Sequence, residues 1–284
     1  MIVQIQTQTK AGIRNICRVL GVPRSGFYLA ARPSARQLSD QRIGDLVEAI
    51  FGQHRRRYGH RRIWREMAGR DVVCAPERIR RIMRQRGLRA IQPKNFVPKT
   101  SDGKASRPAP NLLATEPPPT KPNQVWTADI TFIPTTFGWL YLALVMDLYS
   151  RRIVGWKLAN HMRGELVLQA FEQALRSRPK TSSTIFHSDR GSQYGCTAFR
   201  TALNTAGFRQ SMSARSNPYD NAWTESLVGT IKREMLQNGS FDSAQDAQTE
   251  IFEYIEGYYN PSRRHSALGY LSPAQFEQSS FTKN

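Results

Sequence analysis

Hydrophobic positions keep one period in the first third of the chain and another after it. Up to about residue 90 the apolar side chains recur at helical spacing. Ile13, Ile16, Cys17 and Leu20 form a first stripe that Gly21 ends, and Pro23-Arg24-Ser25 starts another short helix. Ile43, Leu46, Val47, Ile50 and Phe51 form a second stripe over residues 41–54. A short helix is predicted from Arg62 to Met67. The next begins at Pro76, stops near Gly87, and carries Ile79, Ile82 and Met83 on one face. From Gln124 the period shortens to that of strands. VWTADITFI, a turn at Phe137-Gly138, WLYLALVMDLYS and IVGWKL predict three antiparallel strands.

A helix follows from Gly164 to Arg176, with Leu166, Val167, Ala170, Phe171 and Leu175 buried. The apolar run Ser183-Thr184-Ile185-Phe186 then reads as a strand delivering His187-Ser188-Asp189 to a sheet edge, stopped by Gly191. Beyond it the pattern gives a helix at 197–206, a short strand at 209–213, and a helix opening after Pro218. That last helix has Asp220 as its N-cap and Leu227, Ile231 and Met235 as its stripe. Residues 244–258 are amphipathic up to Tyr259-Asn260-Pro261, and Ser272-Pro273-Ala274-Gln275 reads as a capping box. Strands interleaved with helices predict an α/β core, a mixed sheet with helices on both faces. The expected organisation is a basic helical region over 1–90, a Pro-rich linker over 91–123, the core over 124–240, and a helical segment over 241–284 packed on that core.

Charge adds a partner to this picture. The chain of 284 residues has a formal net charge of +19, which suits a polyanion. Residues 1–124 hold 25 basic and 8 acidic side chains, whereas 125–284 hold 16 and 14, so phosphate attraction is concentrated in the front part. With no apolar run of about 18 residues and no signal-peptide pattern, a membrane reading is weak, and a cytoplasmic, nucleoid-associated protein is expected. Cys17, Cys74 and Cys196 form no CxxC pair, which argues against disulfides and a zinc knuckle. The helix from Pro76 places Arg78, Arg81 and Arg84 away from its apolar face. Helix, turn and arginine-rich helix is a layout for reading double-stranded DNA, with Arg81 and Arg84 the candidate contacts. A solvated basic face is the plainer alternative.

Acids within the second part supply candidate chemistry. Asp129 lies inside an apolar strand pattern, Asp189 at a strand end and Glu225 on a helix. A carboxylate is costly to bury alone and tolerable when it shares a hard cation. Mg²⁺ suits such oxygens together with water and phosphate, and two ions clamp the attacking and leaving oxygens of a phosphoryl displacement. Lys232 falls nearly two turns after Glu225, on the same face and about 10 Å along the helix, where it can meet a neighbouring phosphate. Asn217, Tyr219 and Asn221 precede that helix within reach of DNA. Asp147 is a fourth acid for which an ion pair with Arg151 or Arg152 is the preferred reading. His187 reads as a positioning residue, because Mg²⁺ favours oxygen. Gln193 and Tyr194 either line the cleft or support its turn, and Arg263, Arg264 and His265 either touch DNA or complete a surface.

The strings VWTADITFI, GWLYLALVMDLYSRRIVGW, HSDRGSQY, SMSARSNPYDNAWTESLVGTIKREM and NPSRRHSALGYLSP, in that order, resemble the OrfB transposases of bacterial insertion sequences, within the retroviral-integrase-like DDE superfamily. The spacing of 35 residues between Asp189 and Glu225 belongs to the resemblance. It implies a ribonuclease H-like fold, a front helix-turn-helix carried by YGHRRI and RIMRQRGL, and a metal-binding triad at Asp129, Asp189 and Glu225. Two Mg²⁺ ions, replaceable by Mn²⁺, are implied as cofactors. Lys232 matches the family's basic position on the helix of Glu225, a DNA contact beside the candidates Tyr219 and Asn221, and the implied partners are double-stranded element ends and target, further copies of the chain, and an upstream OrfA-type product. The implied activity is end cleavage followed by attack of the freed 3′-hydroxyl. Ser216 and Leu227-Val228 depart from the family pattern in loop shape and packing. An inert DNA-binding regulator and a nuclease that hydrolyses without joining are the alternatives.

Overall fold

The computed structural model describes residues 6, 9, 11–25, 33–91, 108–178, 183–214, 222–236 and 239–281. It divides into two compact units, residues 1–90 and 91–284.

The first unit is helical. α1 (Ile13–Val19) buries Ile16 and Cys17. α2 (Ala35–Gln53) starts earlier than its apolar stripe does, because Ser34 and Gln37 form a capping box that satisfies two free amides. α3 (His60–Ala68) and α4 (Pro76–Gln85) follow, and Ile50, Phe51, Tyr58, Ile63, Met67, Ile79, Ile82 and Met83 make the core. Trp64 Nε1 donates to the Cys74 carbonyl at 2.9 Å, closing the turn between α3 and α4.

A five-stranded sheet organises the second unit. β1 (Val125–Thr135), β2 (Gly138–Asp147) and β3 (Ile153–Ala159) form an antiparallel meander. β4 (Ile185–Ser188) and β5 (Arg209–Met212) extend it in parallel, giving the order β3-β2-β1-β4-β5. One face is covered by α5 (Gly164–Ser177) and α7 (Thr197–Thr205), with the short α6 (Ser192–Gly195) between β4 and α7. Gly155 permits this packing, since a Cβ there would collide with the Ala170 carbonyl of α5. Trp126, Phe171, Phe186, Phe199 and Phe208 fill the layer. The other face is covered by α8 (Ala222–Met235), α9 (Ala244–Phe252) and the π-helical continuation Glu253–Tyr259. There Leu227, Ile231, Ile251, Tyr254, Ile255 and Tyr259 meet Leu140, Leu142, Leu144 and Met146. α10 (Pro273–Phe281) closes the chain, its expected Ser272–Gln275 capping box formed by bonds of 3.0 and 3.2 Å. This is an α/β mixed sheet of the ribonuclease H-like kind, preceded by an all-α region.

Residues 108–124 differ from an extended linker. Leu112 and Leu113 pack on the core, and the Leu112 amide donates to Ser211 Oγ at 2.9 Å, so this stretch accompanies β5. Two apolar side chains and a backbone bond outweigh what the prolines alone suggest.

Candidate active site

Sheet register brings the first two acids together. β1 and β4 run parallel with Thr127 opposite His187, and Asp129 and Asp189 each stand two residues further on. Asp129 is opposite Leu144 on β2, and directly opposed residues share a face, so its side chain belongs to the face that α8 covers. α8 carries an exposed Glu225 in its first turn and a half-buried Lys232 in its last.

Asp129 is only 8 % exposed, and its one described hydrogen bond is from the Ile130 amide at 2.8 Å. Burial pushes its carboxyl up to about 8, the Asp189 charge pushes it further than the Glu225 charge does, and Lys232 partly opposes both. Lys232 itself is lowered by burial, with the Asp129 charge acting the other way. The Asp189 carboxylate accepts from the Gly191 amide at 2.9 Å, which fixes the turn into α6. A Cβ on Gly191 would crowd Gln193 Oε1 at 2.8 Å and Asp189 Oδ1 at 3.0 Å, so both side chains would have to shift.

Two unpaired hydroxyls flank the buried acid along β1. Thr127 and Thr131 lie two residues either side of Asp129 on the same face, and neither buried hydroxyl has a hydrogen-bond partner among the described residues. Tyr194 Oη is likewise buried and unpartnered, and burial followed by the Asp189 and Asp129 charges raises it well above its ordinary value. Oxygen donors around mutually repelling carboxylates fit a hard dication in chemical type. In position they are looser: among the described residues no three His, Cys, Asp or Glu side chains are gathered closely enough to hold a metal ion.

Neighbouring candidates resolve into supports. His187 is buried, its Nδ1 2.9 Å from Ser211 Oγ and its Nε2 3.2 Å from Ser213 Oγ, which joins β4 to β5 beneath Asp189. Gln193 Nε2 donates to the Met162 carbonyl at 3.0 Å. Asp147 is fully buried but does not pair with Arg151 or Arg152. It accepts from the amides of Asn123, Tyr149 and Ser150 at 2.7, 2.9 and 3.4 Å, because the turn after β2 offers amides nearer than guanidinium groups. Arg152 joins Glu277, and Arg151 lies over the Trp223 ring at 5.9 Å. Tyr219, Asn221, Asn217, Ser216 and Asp220 lie outside the described residues.

In the first unit, Arg78 and Arg81 both bind Asp40 of α2 at 2.7 Å, and Arg86 binds Asp45 and Glu48 at 2.7 and 2.8 Å. Gly44 makes room for the Arg86 fork. Arg81 thus holds α4 to α2. Arg80 and Arg84 are exposed on the remaining face, and Arg80 stands close enough to His60 to join burial and Arg61 in lowering that imidazole. The four-residue spacing of Arg80 and Arg84 was readable in the sequence, whereas the pull of Asp40 on Arg81 needed the tertiary contact.

Profiles of the integrase core domain match residues 119–218 and 206–273, and a helix-turn-helix-like domain profile matches residues 38–96. The chain is 38% identical over 247 residues to the transposase for insertion sequence element IS904 of Lactococcus lactis, covering 87% of this chain and 98% of that one. The chain belongs to the insertion-sequence transposases. Other members of this family include transposase InsF of IS3A from Escherichia coli, 37% identical over 274 residues with 95% of each chain covered. A 31 kDa protein of insertion element IS600 from Shigella sonnei is 40% identical over 265 residues, covering 93% of this chain and 97% of that one. Among solved structures, the HTLV-2 integrase catalytic core domain in complex with magnesium has 14% identity and a TM-score of 0.41, covering 56% of this chain and 98% of that one. Among the described residues no helix of this transposase-family chain is long and apolar enough to cross a membrane.

Proposed function

We propose that the chain is a transposase that cuts DNA at the ends of its insertion sequence and joins the freed 3′-hydroxyl to a target phosphodiester, with Asp129, Asp189 and Glu225 as its metal ligands. The observation that carries this reading is the register of β1 and β4, which brings the buried Asp129 level with Asp189; burial and then the charges of Asp189 and Glu225 push the Asp129 carboxyl up to about 8. Two Mg²⁺ ions, or Mn²⁺ in their place, would supply the positive charge and Lewis acidity for in-line displacement. The chain's part is to orient. β1 and β4 hold two carboxylates side by side, α8 brings the third ligand and sets Lys232 against the DNA phosphate, and the dry wall of Thr127, Thr131 and Leu144 keeps bulk water from the far side of the acids. No covalent protein intermediate is required.

The first unit binds double-stranded DNA through α3 and α4. Arg84 of the two candidate arginines, together with Arg80, is the better placed for contact, while Arg81 contributes by fixing the helix. Several copies acting together on DNA and an upstream OrfA-type product complete the expected assembly, in the cytoplasm at the nucleoid. Oligonucleotides carrying an element end test the reading. Mg²⁺-dependent nicking and joined products are expected from the wild type, and binding without either from Asp189→Asn. Nicking without joining would make it a nuclease, and retained cleavage by Asp189→Asn would reject the ligand assignment.

A further inference from the structure

α8 meets the sheet through apolar side chains, Leu227 and Ile231 among them, and the non-directional attraction between such groups sets the rotation of the helix about its own axis only coarsely. Rotation matters greatly for Glu225. With side chains reaching about 5–6 Å from the axis, a roll of some 20° moves a carboxylate about 2 Å. That equals a whole Mg²⁺–oxygen bond of about 2.0–2.1 Å, for an ion that demands near-ideal geometry. Something directional must set the roll.

Glu234, two residues after Lys232, is 7 % exposed and turned away from the acids. Arg263 grips it as a fork, Nη2 to Oε1 at 2.7 Å and Nε to Oε2 at 2.9 Å, and Tyr254 Oη donates to Oε2 at 2.9 Å. Arg263 is buried as well, its guanidinium 5.6 Å from the Tyr259 ring centroid and its Nη1 3.2 Å from His265 Nε2. The segment holding Arg263 is itself pinned to the sheet. The Asn260 side chain accepts from the Ile153 amide and donates to the Ile153 carbonyl, both at 3.0 Å, and Tyr259 Oη donates to the Arg151 carbonyl at 3.1 Å. A rigid path therefore runs from α8 through Glu234, Arg263 and Asn260 to β3 and across β2 to β1, the strand of Asp129. Buried ion pairs add little net stability over apolar replacements, and their best-attested use is to fix register. Planar two-point forks are well suited to that task.

We propose that Arg263 is a positioning residue that fixes the rotation of α8, and with it the placing of Glu225 as a metal ligand and of Lys232 beside it. This rests on the metal-ligand reading above. It also gives a role to NPSRRHSALGYLSP, whose first arginine turns inward to a carboxylate and not outward to DNA.

The test uses the full chain, its melting temperature followed against MgCl₂ or MnCl₂ concentration, together with hydrogen exchange of the α8 amides without metal. Glu234→Met/Arg263→Met replaces the fork by apolar side chains of similar length. It should keep a melting temperature near the wild type, exchange α8 amides faster, and need roughly tenfold or more metal for half of the metal-induced stabilisation, the scale of losing a group that orients a ligand. Arg263→Lys keeps the charge without the fork, should shift the metal midpoint in the same direction, and decides the matter if the double variant fails to fold. An unchanged metal midpoint and unchanged α8 exchange in a folded variant would overturn the proposal. No metal response in the wild type would overturn the metal-ligand reading and this proposal with it, so the two failures are distinguishable.

Discussion

The second unit buries two groups of acids and treats them in opposite ways. Toward the C-terminal segment, Glu234 meets Arg263 and Tyr254. Glu277 of α10 is 3 % exposed and meets Arg178, Arg152 and Ser150. Those hydrogen bonds hold the Glu277 carboxyl below its ordinary value although burial alone would raise it. Around Asp129, burial and then the charges of Asp189 and Glu225 raise the carboxyl to about 8, against the Ile130 amide and Lys232. One group is electrostatically complete within the chain. The other leaves like charges facing one another, which is the imbalance that the proposed cations would relieve.

Ways to break this contrast run from large effects to small. Asp189→Asn should lower end cleavage by about 10³-fold or more, a loss of at least about 4 kcal/mol of transition-state stabilisation, while gel-shift affinity for the element end is kept. Arg178→Met takes from a buried carboxylate the more buried of its two arginine partners and should destabilise the folded chain by about 3 kcal/mol, read by urea denaturation. Asp129→Asn should do the reverse in metal-free buffer at pH 8, raising the melting temperature by roughly 5 °C, as a few kcal/mol would do in a unit of this size.

The pH dependence follows from the same carboxyl. Its folded value, about 8, lies above the ordinary 3.8, so between those values the folded chain binds more protons than the unfolded one. The contribution to stability is full below about pH 4 and is lost as pH rises through 8. The advantage of Asp129→Asn should therefore vanish toward pH 4 and grow toward pH 8, which melting curves across that range would read. The smallest effects belong to the first unit. Arg84→Ala and Arg80→Ala should each reduce the slope of log affinity against log salt by about 1, whereas Arg81→Ala should lower the stability of the helical unit through Asp40 and leave that slope nearly unchanged.

Much of the architecture was legible in the sequence because its periods are clean. VWTADITFI and WLYLALVMDLYS could only be buried strands, and Pro76 announced α4. α2 starts at Ala35 and not near residue 41, since its first turn is held by the Ser34 cap and shows no apolar stripe. The acids of the candidate site could be named from neighbours in the chain, but their partners could not. Asp147 was read against Arg151 and Arg152, next to it in sequence, yet it takes backbone amides, one of them from Asn123. Arg263 was read as a surface or DNA-facing group, and its carboxylate lies 29 residues earlier on another helix. Partner choice depends on which elements come to lie side by side, and hydrophobic period carries no information about that.

Free Mn²⁺, counted by its electron paramagnetic resonance during titration into the full chain, tests most directly whether the acids around Asp129 form a site that a dication completes. The wild type should take up Mn²⁺, and Asp129→Asn and Asp189→Asn should each weaken that uptake at least about tenfold. Uptake that is the same in all three proteins, or absent from the wild type, would contradict it.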